Sequence, residues 1–220
     1  MMTEIEAIKA RHSVRSFTDR KIDAETQERI NVSIDAINKE GDLHLQFIAD
    51  AGKTYTKLFN KVMGLGSAPS VIACIGKDNE SLEERIGYYG EKLVLALQQM
   101  GLNTCWTGMF NRDKIPVCLE AGEVLVLCIA VGYGTTQGKV RKSKTAAQVS
   151  SAEGERPAWF DFAVEMALSA PTAINQQQFE IHLDEKENVS FTDKGGVFSK
   201  VDLGIVKYHF EVGAAHAKNN

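Results

Sequence analysis

The sequence predicts an α+β fold, in which helices flank strands of mixed character. Two observations carry this. Stretches with apolar residues every three or four positions alternate with shorter apolar or alternating runs of strand length. The order helix then strand, and later strand then helix, also occurs in both parts of the chain. That order suggests one domain, 1–220, of two pseudo-repeated halves, about 1–134 and 155–220, with a linker at about 135–154.

Asp23 is placed to cap a helix running to about Lys39, with Ile30, Ile34 and Ile37 on one face and Gly41 and Asp42 as its stop. Residues 43–49 alternate, with Leu45 and Phe47 on one side and His44 and Gln46 on the other, which predicts a strand. Pro69 opens a second strand over 71–75. A long helix is expected from about Leu82 to Met100, with a stripe of Ile86, Leu93, Leu97 and Met100 and with Gly101 as its stop. Residues 123–131 read as a buried strand ended by Gly132 and Gly134. Residues 135–154 are polar and linker-like. A helix then starts near Pro157 and ends before Pro171. Residues 179–183 and 189–191 read as strands joined by a turn, and a last helix runs from about Asp202 to Ala215. Gly90 in the long helix matches Gly204 in the last one.

Composition removes several function classes. The 220 residues, 24.2 kDa, are 44% hydrophobic and 25% charged, which excludes a disordered or fibrous chain. The net charge of −4 argues against a nucleic-acid binder. No apolar run approaches the ~18 residues of a membrane span, and the N-terminus has no signal-peptide core. Cys74, Cys105, Cys118 and Cys128 lack CxxC spacing, so reduced thiols in a cytoplasmic protein are expected.

Side-chain catalysts are not evident. Gly64 and Gly66 form a lone GxG with Pro69 where a third glycine would stand, against a Rossmann site. His12, His44, His182, His209 and His216 have no metal-ligand spacing, and no GxSxG is present, so no metal is expected. Chemistry left to a bound cofactor fits that pattern. Two basic clusters interrupt the acidic background: Arg11, His12, Ser13 and Arg15, then Lys139 and Arg141. Arg and Lys beside a hydroxyl can cage a phosphate dianion. On charge alone, solvated surface is the simpler reading of both clusters.

Residues 8–17, IKARHSVRSF, resemble the RRSVRxF opening of the nitroreductase family of FMN flavoproteins. Residues 101–110, GLNTCWTGMF, resemble its GLGTCWIGxF stretch, and residues 139–141, KVR, its late K-x-R phosphate motif. Residues 170–179, APTAINQQQF, are similar to its APSxxNxQPW motif. The resemblance implies a nitroreductase-like, mixed and largely antiparallel sheet flanked by helices. It implies that Arg11, Ser13, Arg15, Lys139 and Arg141 hold the FMN phosphate and ribityl chain, with His12 beside them. Trp106, Thr107 and Gly108 would pass along the flavin, the Gly108 backbone N–H facing N5. Pro171, Thr172, Ala173 and Asn175 would meet the ring and ribityl chain from the other side, with Gln177 a lesser candidate. Asn60 or Lys61 would add a contact at the pyrimidine edge.

One departure from the family pattern matters. In ordinary members the APSxxNxQPW segment follows the first long helix and reaches the partner subunit's flavin. Here only Gly41 and Asp42 stand at that position, and the segment occurs at Ala170. The chain thus resembles a fused pseudo-dimer of the TM nitroreductase branch (TM is not transmembrane). The terminal Pro and Trp of the motif are Gln178 and Phe179. The implied function is an FMN-dependent oxidoreductase. It would take hydride from NADH or NADPH through flavin N5 to a small-molecule acceptor, nitroaromatic or quinone-like. An FMN-binding sensor or carrier without turnover, and a flavin-fragmenting relative, are the rival readings. A monomer with one FMN is expected, and a swapped homodimer would satisfy the same motifs.

Overall fold

The computed structural model describes residues 2–51 and 70–219. The expectations placed on Asn60, Lys61, Gly64, Gly66 and Pro69 lie outside the described residues. Two compact units partition the chain, and neither is contiguous. One takes residues 11–82 and 93–140. The other takes 1–10, 83–92 and 141–220.

The first unit is built on an antiparallel sheet. Its strands are β1 (Gln46–Ile48), β2 (Ser70–Lys77), β3 (Asn103–Thr107) and β4 (Glu123–Gly132), in the order β1-β2-β4-β3. Val71 to Ile75 of β2 and Cys128 to Val131 of β4 are fully buried, so both faces of this central pair are covered. On one face Val71, Ala130 and Cys105 pack with Val14, Phe17 and Ala51. Further along, Ala73, Ile75, Leu125 and Cys128 pack with Ile115. Helix α2 (Ala24–Gly41) begins as expected, because the Asp23 carboxylate accepts from Thr26 N at 2.8 Å. It ends at Asp42, which is left-handed with φ 49°. Its buried face is Ile30, Ile34 and Ile37. The strand expected over 43–49 shortens to β1; ahead of it His44 N donates to Ile75 O, and the Asn38 side chain pairs with both main-chain groups of Leu45, which face away from β2.

The second unit holds α1 (Glu4–Ala10), α4 (Ala146–Val149), α5 (Ala158–Leu168) and α6 (Ser199–Lys218). It also holds a three-stranded sheet of β5 (Ser150–Ala152), β6 (Phe179–Leu183) and β7 (Val189–Asp193). β5 runs parallel to β6, and β6 antiparallel to β7. The mixed, largely antiparallel character expected is present, distributed over two sheets. α4 and β5 fall inside the stretch expected to be a linker, and α6 starts three residues before Asp202. Trp159, Phe160, Phe191 and Phe210 form a chain of edge-to-face rings among α5, α6 and β7.

The helix α3 (Leu82–Gln99) is divided between the units, its residues 83–92 belonging to the second. There it crosses α6 backbone to backbone. A Cβ on Gly87 would lie 2.0 Å from the Val201 carbonyl oxygen, and one on Gly204 2.0 Å from the Glu84 carbonyl oxygen. Each glycine thus faces the carbonyl three residues before the other, the reciprocity of a two-fold contact. Beside this crossing a fully buried pair sits: His209 Nε2 lies 2.9 Å from Glu91 Oε1, and Nδ1 lies 3.1 Å from the Met166 carbonyl, to which it donates.

Candidate flavin site

In the first unit, residues 11–18 run extended between β3 and the chain leaving β4. Val14 N donates to Thr104 O at 2.9 Å, Thr18 N to Tyr133 O at 2.8 Å, and Thr135 N to Ser16 O at 2.9 Å. Ser13 pairs with Thr104 and Phe17 with Gly134. Val14 and Phe17 are the buried anchors of this segment. Asn103 ties the other side, accepting from Gly134 N and donating to Gln137 Oε1, both at 2.9 Å.

This arrangement brings the first basic cluster to Lys139. Gly138 has φ 84°, and a Cβ there would lie 2.6 Å from His12 Cβ. Only glycine lets the backbone pass so close to His12. Arg15 and Lys139 are exposed, and among the described residues neither has a hydrogen-bond or ion-pair partner. Arg11 is buried at 5% exposure. Burial pushes the Cys105 thiol up, and the charges of Arg15 and Arg11 pull it back, so both guanidinium groups act on the middle of β3. Exposed cations and a hydroxyl are the groups that hold a phosphate dianion, and these two stretches carry Arg15, Lys139 and Ser13.

β3 carries the other residues expected here. Cys105 and Thr107 share one face, and the Thr107 hydroxyl donates to Cys128 O at 2.9 Å. Trp106 lies half-buried on the opposite face, and Gly108 follows directly after the strand ends, half-buried. The Thr107 side chain is spent on the sheet, so the backbone around Gly108 is what this turn presents.

The remaining expected residues belong to the second unit. Arg141 Nη2 donates to the carbonyls of Leu168, at 2.7 Å, and Ala170, closing the C-terminal end of α5. After it Pro171 is buried, and residues 172–177 form a tight loop. Thr172 Oγ1 accepts from Gln177 N at 3.1 Å, and Asn175 Nδ2 donates to Lys142 O at 2.9 Å. The side chains of both expected contacts are therefore used to fold the loop. Gln177 is its hub: its Oε1 accepts from Lys144 N, and its carbonyl accepts from Lys144 Nζ. Ala173 N donates to both oxygens of Asp202, at 2.9 and 3.1 Å.

Three loop residues other than glycine are left-handed: Ile174 at φ 47°, Asn175 at 59° and Gln177 at 47°. Asn tolerates this region, but a β-branched Ile is an outlier, at a cost of about 1–3 kcal/mol. Ile174 recovers none of that by packing, because it is 84% exposed. Sequence reasoning missed Ile174, Asp202 and Lys144. The first is invisible without φ, and Asp202 looked like the start of a helix. Among the described residues no group of three or more His, Cys, Asp or Glu could hold a metal. No described helix is long and apolar enough to cross a membrane.

A sequence profile of the family described as "Putative TM nitroreductase" matches residues 4–214. A crystal structure described as a "putative nitroreductase" from Thermotoga maritima aligns at TM-score 0.69 and 25% identity, covering 100% of this chain and 87% of that one. A nitroreductase family protein from Streptococcus pneumoniae aligns at TM-score 0.52 and 17% identity, over 67% of this chain and 98% of the other. A third structure, described as "Putative NADH dehydrogenase/NAD(P)H nitroreductase" from Parabacteroides distasonis, aligns at TM-score 0.50 and 19% identity, over 66% and 95%. The last two likenesses bear on the fold alone. No curated protein matches the chain. With a profile spanning nearly its whole length, and the four-stranded antiparallel sheet in place, this chain belongs to the TM nitroreductase family.

Proposed function

We propose that this chain is an FMN-dependent oxidoreductase that passes hydride from NADH or NADPH to a nitroaromatic or quinone-like acceptor. The observation that carries this reading is the meeting of residues 11–15 with Gly138 and Lys139. Arg15 and Lys139, from two stretches far apart in sequence, are both exposed, and the backbones that carry them meet at His12 and Gly138. When bound, the flavin would supply the redox chemistry, taking hydride at N5 and releasing it to a flat acceptor. Arg15 and Lys139 would neutralise its phosphate, and Ser13 would donate to a phosphate oxygen. Arg11, buried, would add positive potential from within. Trp106 and Thr107 would border the ring, and the Gly108 N–H would donate to it. The parts of Arg141, Pro171, Thr172, Ala173 and Asn175 in flavin binding rest on the resemblance alone.

In this reading the protein is a cytoplasmic monomer with one FMN per chain. The reciprocal contact of Gly87 and Gly204 supports a fused pair of halves. The test is the absorption spectrum of the purified protein, followed by anaerobic mixing with NADH and with NADPH. Rapid bleaching of bound FMN is the expected result. Bound flavin that neither donor bleaches would overturn turnover in favour of a carrier, and breakdown of the ring would make flavin the substrate.

A further inference from the structure

We propose that Asp202 is a positioning residue that clamps residues 172–177, so that the strained turn at Ile174 presents its side chain and backbone to a flat ligand. The carboxylate stands in the first turn of α6, the end of a helix that favours negative charge. Its two oxygens take the Ala173 N–H and the Gln176 side-chain amide, the latter at 2.7 Å. The same Gln176 amide donates to Val197 O at 2.8 Å. A Cβ on Gly196 would come within 2.3 Å of Gln176 Oε1, so the glycine leaves the room this amide needs. Asp202 itself is only 7% exposed. The clamp therefore grips the loop on both sides of Ile174, which is exposed and left-handed. A fold with no use for that turn would relax it, because nothing is packed in return. The clamp stands on these contacts. Its consequence for flavin rests on the proposed function.

The test uses Asp202→Ala and Asp202→Asn in the full chain, with two readouts. The first is amide hydrogen exchange across residues 172–177 without added flavin. Asp202→Ala should raise exchange there by about ten- to a hundredfold, the effect of losing hydrogen bonds to a charged acceptor. The β6 and β7 amides should not change. Asp202→Asn, which keeps an oxygen opposite Ala173 N–H, should restore most of the protection. Unchanged loop exchange in folded Asp202→Ala would overturn the clamp. If that variant fails to fold, Gln176→Leu removes the other arm and is read in the same way.

The second readout is affinity for FMN and for riboflavin. Both should weaken in Asp202→Ala by the same factor, about tenfold or more, because the loop would meet the ring and not the phosphate. A loosened loop with unchanged affinity for both flavins would overturn the positioning role. A parent protein that binds neither flavin would overturn the flavin reading, and the exchange measurement would still decide the clamp.

Discussion

At Asp202 burial outweighs hydrogen bonding. Loss of water pushes its carboxyl up from 3.8 to about 6, against the hydrogen bonds from Gln176 and Ala173; the Asp193 charge adds to the rise and Arg141 opposes it. The folded protein thus binds this proton more tightly than the unfolded chain does. The resulting stability is fully present below about pH 4 and is lost as pH rises through about 6. Asp202→Asn removes that dependence. Between pH 4 and 7 the unfolding free energy of the variant should shift in its favour, relative to the parent, by up to about 3 kcal/mol. Urea titrations across that range will check it. Lys139 offers a different test, since no partner among the described residues occupies it. Lys139→Ala should weaken FMN by roughly ten- to a hundredfold and leave riboflavin unchanged, as a titration of both will read. Equal losses would place Lys139 away from the phosphate. The basic residues of this site were legible because charge against an acidic background is visible in a sequence. The loop was legible only as a motif. Which of its groups are already spent, as with Thr172 and Asn175, depends on hydrogen bonds that no spacing reveals.

Among the elements, the long regular ones followed from pattern and the short ones did not. α2 announced itself through Asp23 and three isoleucines, and β2 and β4 through uninterrupted apolar runs. β5 has three residues and no alternation to read, and it forms because Ser150–Ala152 finds β6 as a parallel neighbour. Residues 43–49 have a strand's alternation, but only 46–48 form β1, and the outward main-chain groups of Leu45 pair with a side chain from α2. α3 and α6 show the opposite case. Gly204 stood out in the sequence beside Gly90, yet the residue that faces it is Gly87. At this crossing a methyl group would meet main-chain oxygen, which no rotamer change relieves. Gly204→Ala should therefore lower stability by about 1–3 kcal/mol or more. Thermal unfolding will show this as a fall in Tm. An unchanged Tm would mean the two helices can part without loss.

For the whole molecule, the quaternary state is the decisive measurement. The chain has one RHSVRSF segment, one KVR and one APTAINQQQ. Gel filtration with light scattering should give a 24.2 kDa species, and absorbance should count one FMN in it. A species of twice that mass, losing flavin as it dissociates, would refute the fused arrangement. The partition of the chain was not legible, because periodicity reports which face of an element is buried and not which distant segment covers it. Helix α1 makes the point: Tyr208 donates to Glu4 at 2.6 Å across a separation of 204 residues. That contact sets an order of events during synthesis. Ala7 and Ile8 leave the ribosome well before the helix α6 that packs over them. Residues 141–220 follow the last residue of the other unit, and 80 residues at ~5–20 per second take roughly 4–16 s. Throughout that interval Ala7 and Ile8 of the nascent chain have no place to dock. The second unit can close only after residues 199–218 have been made, so the docking of its helix α1 is a late step of folding.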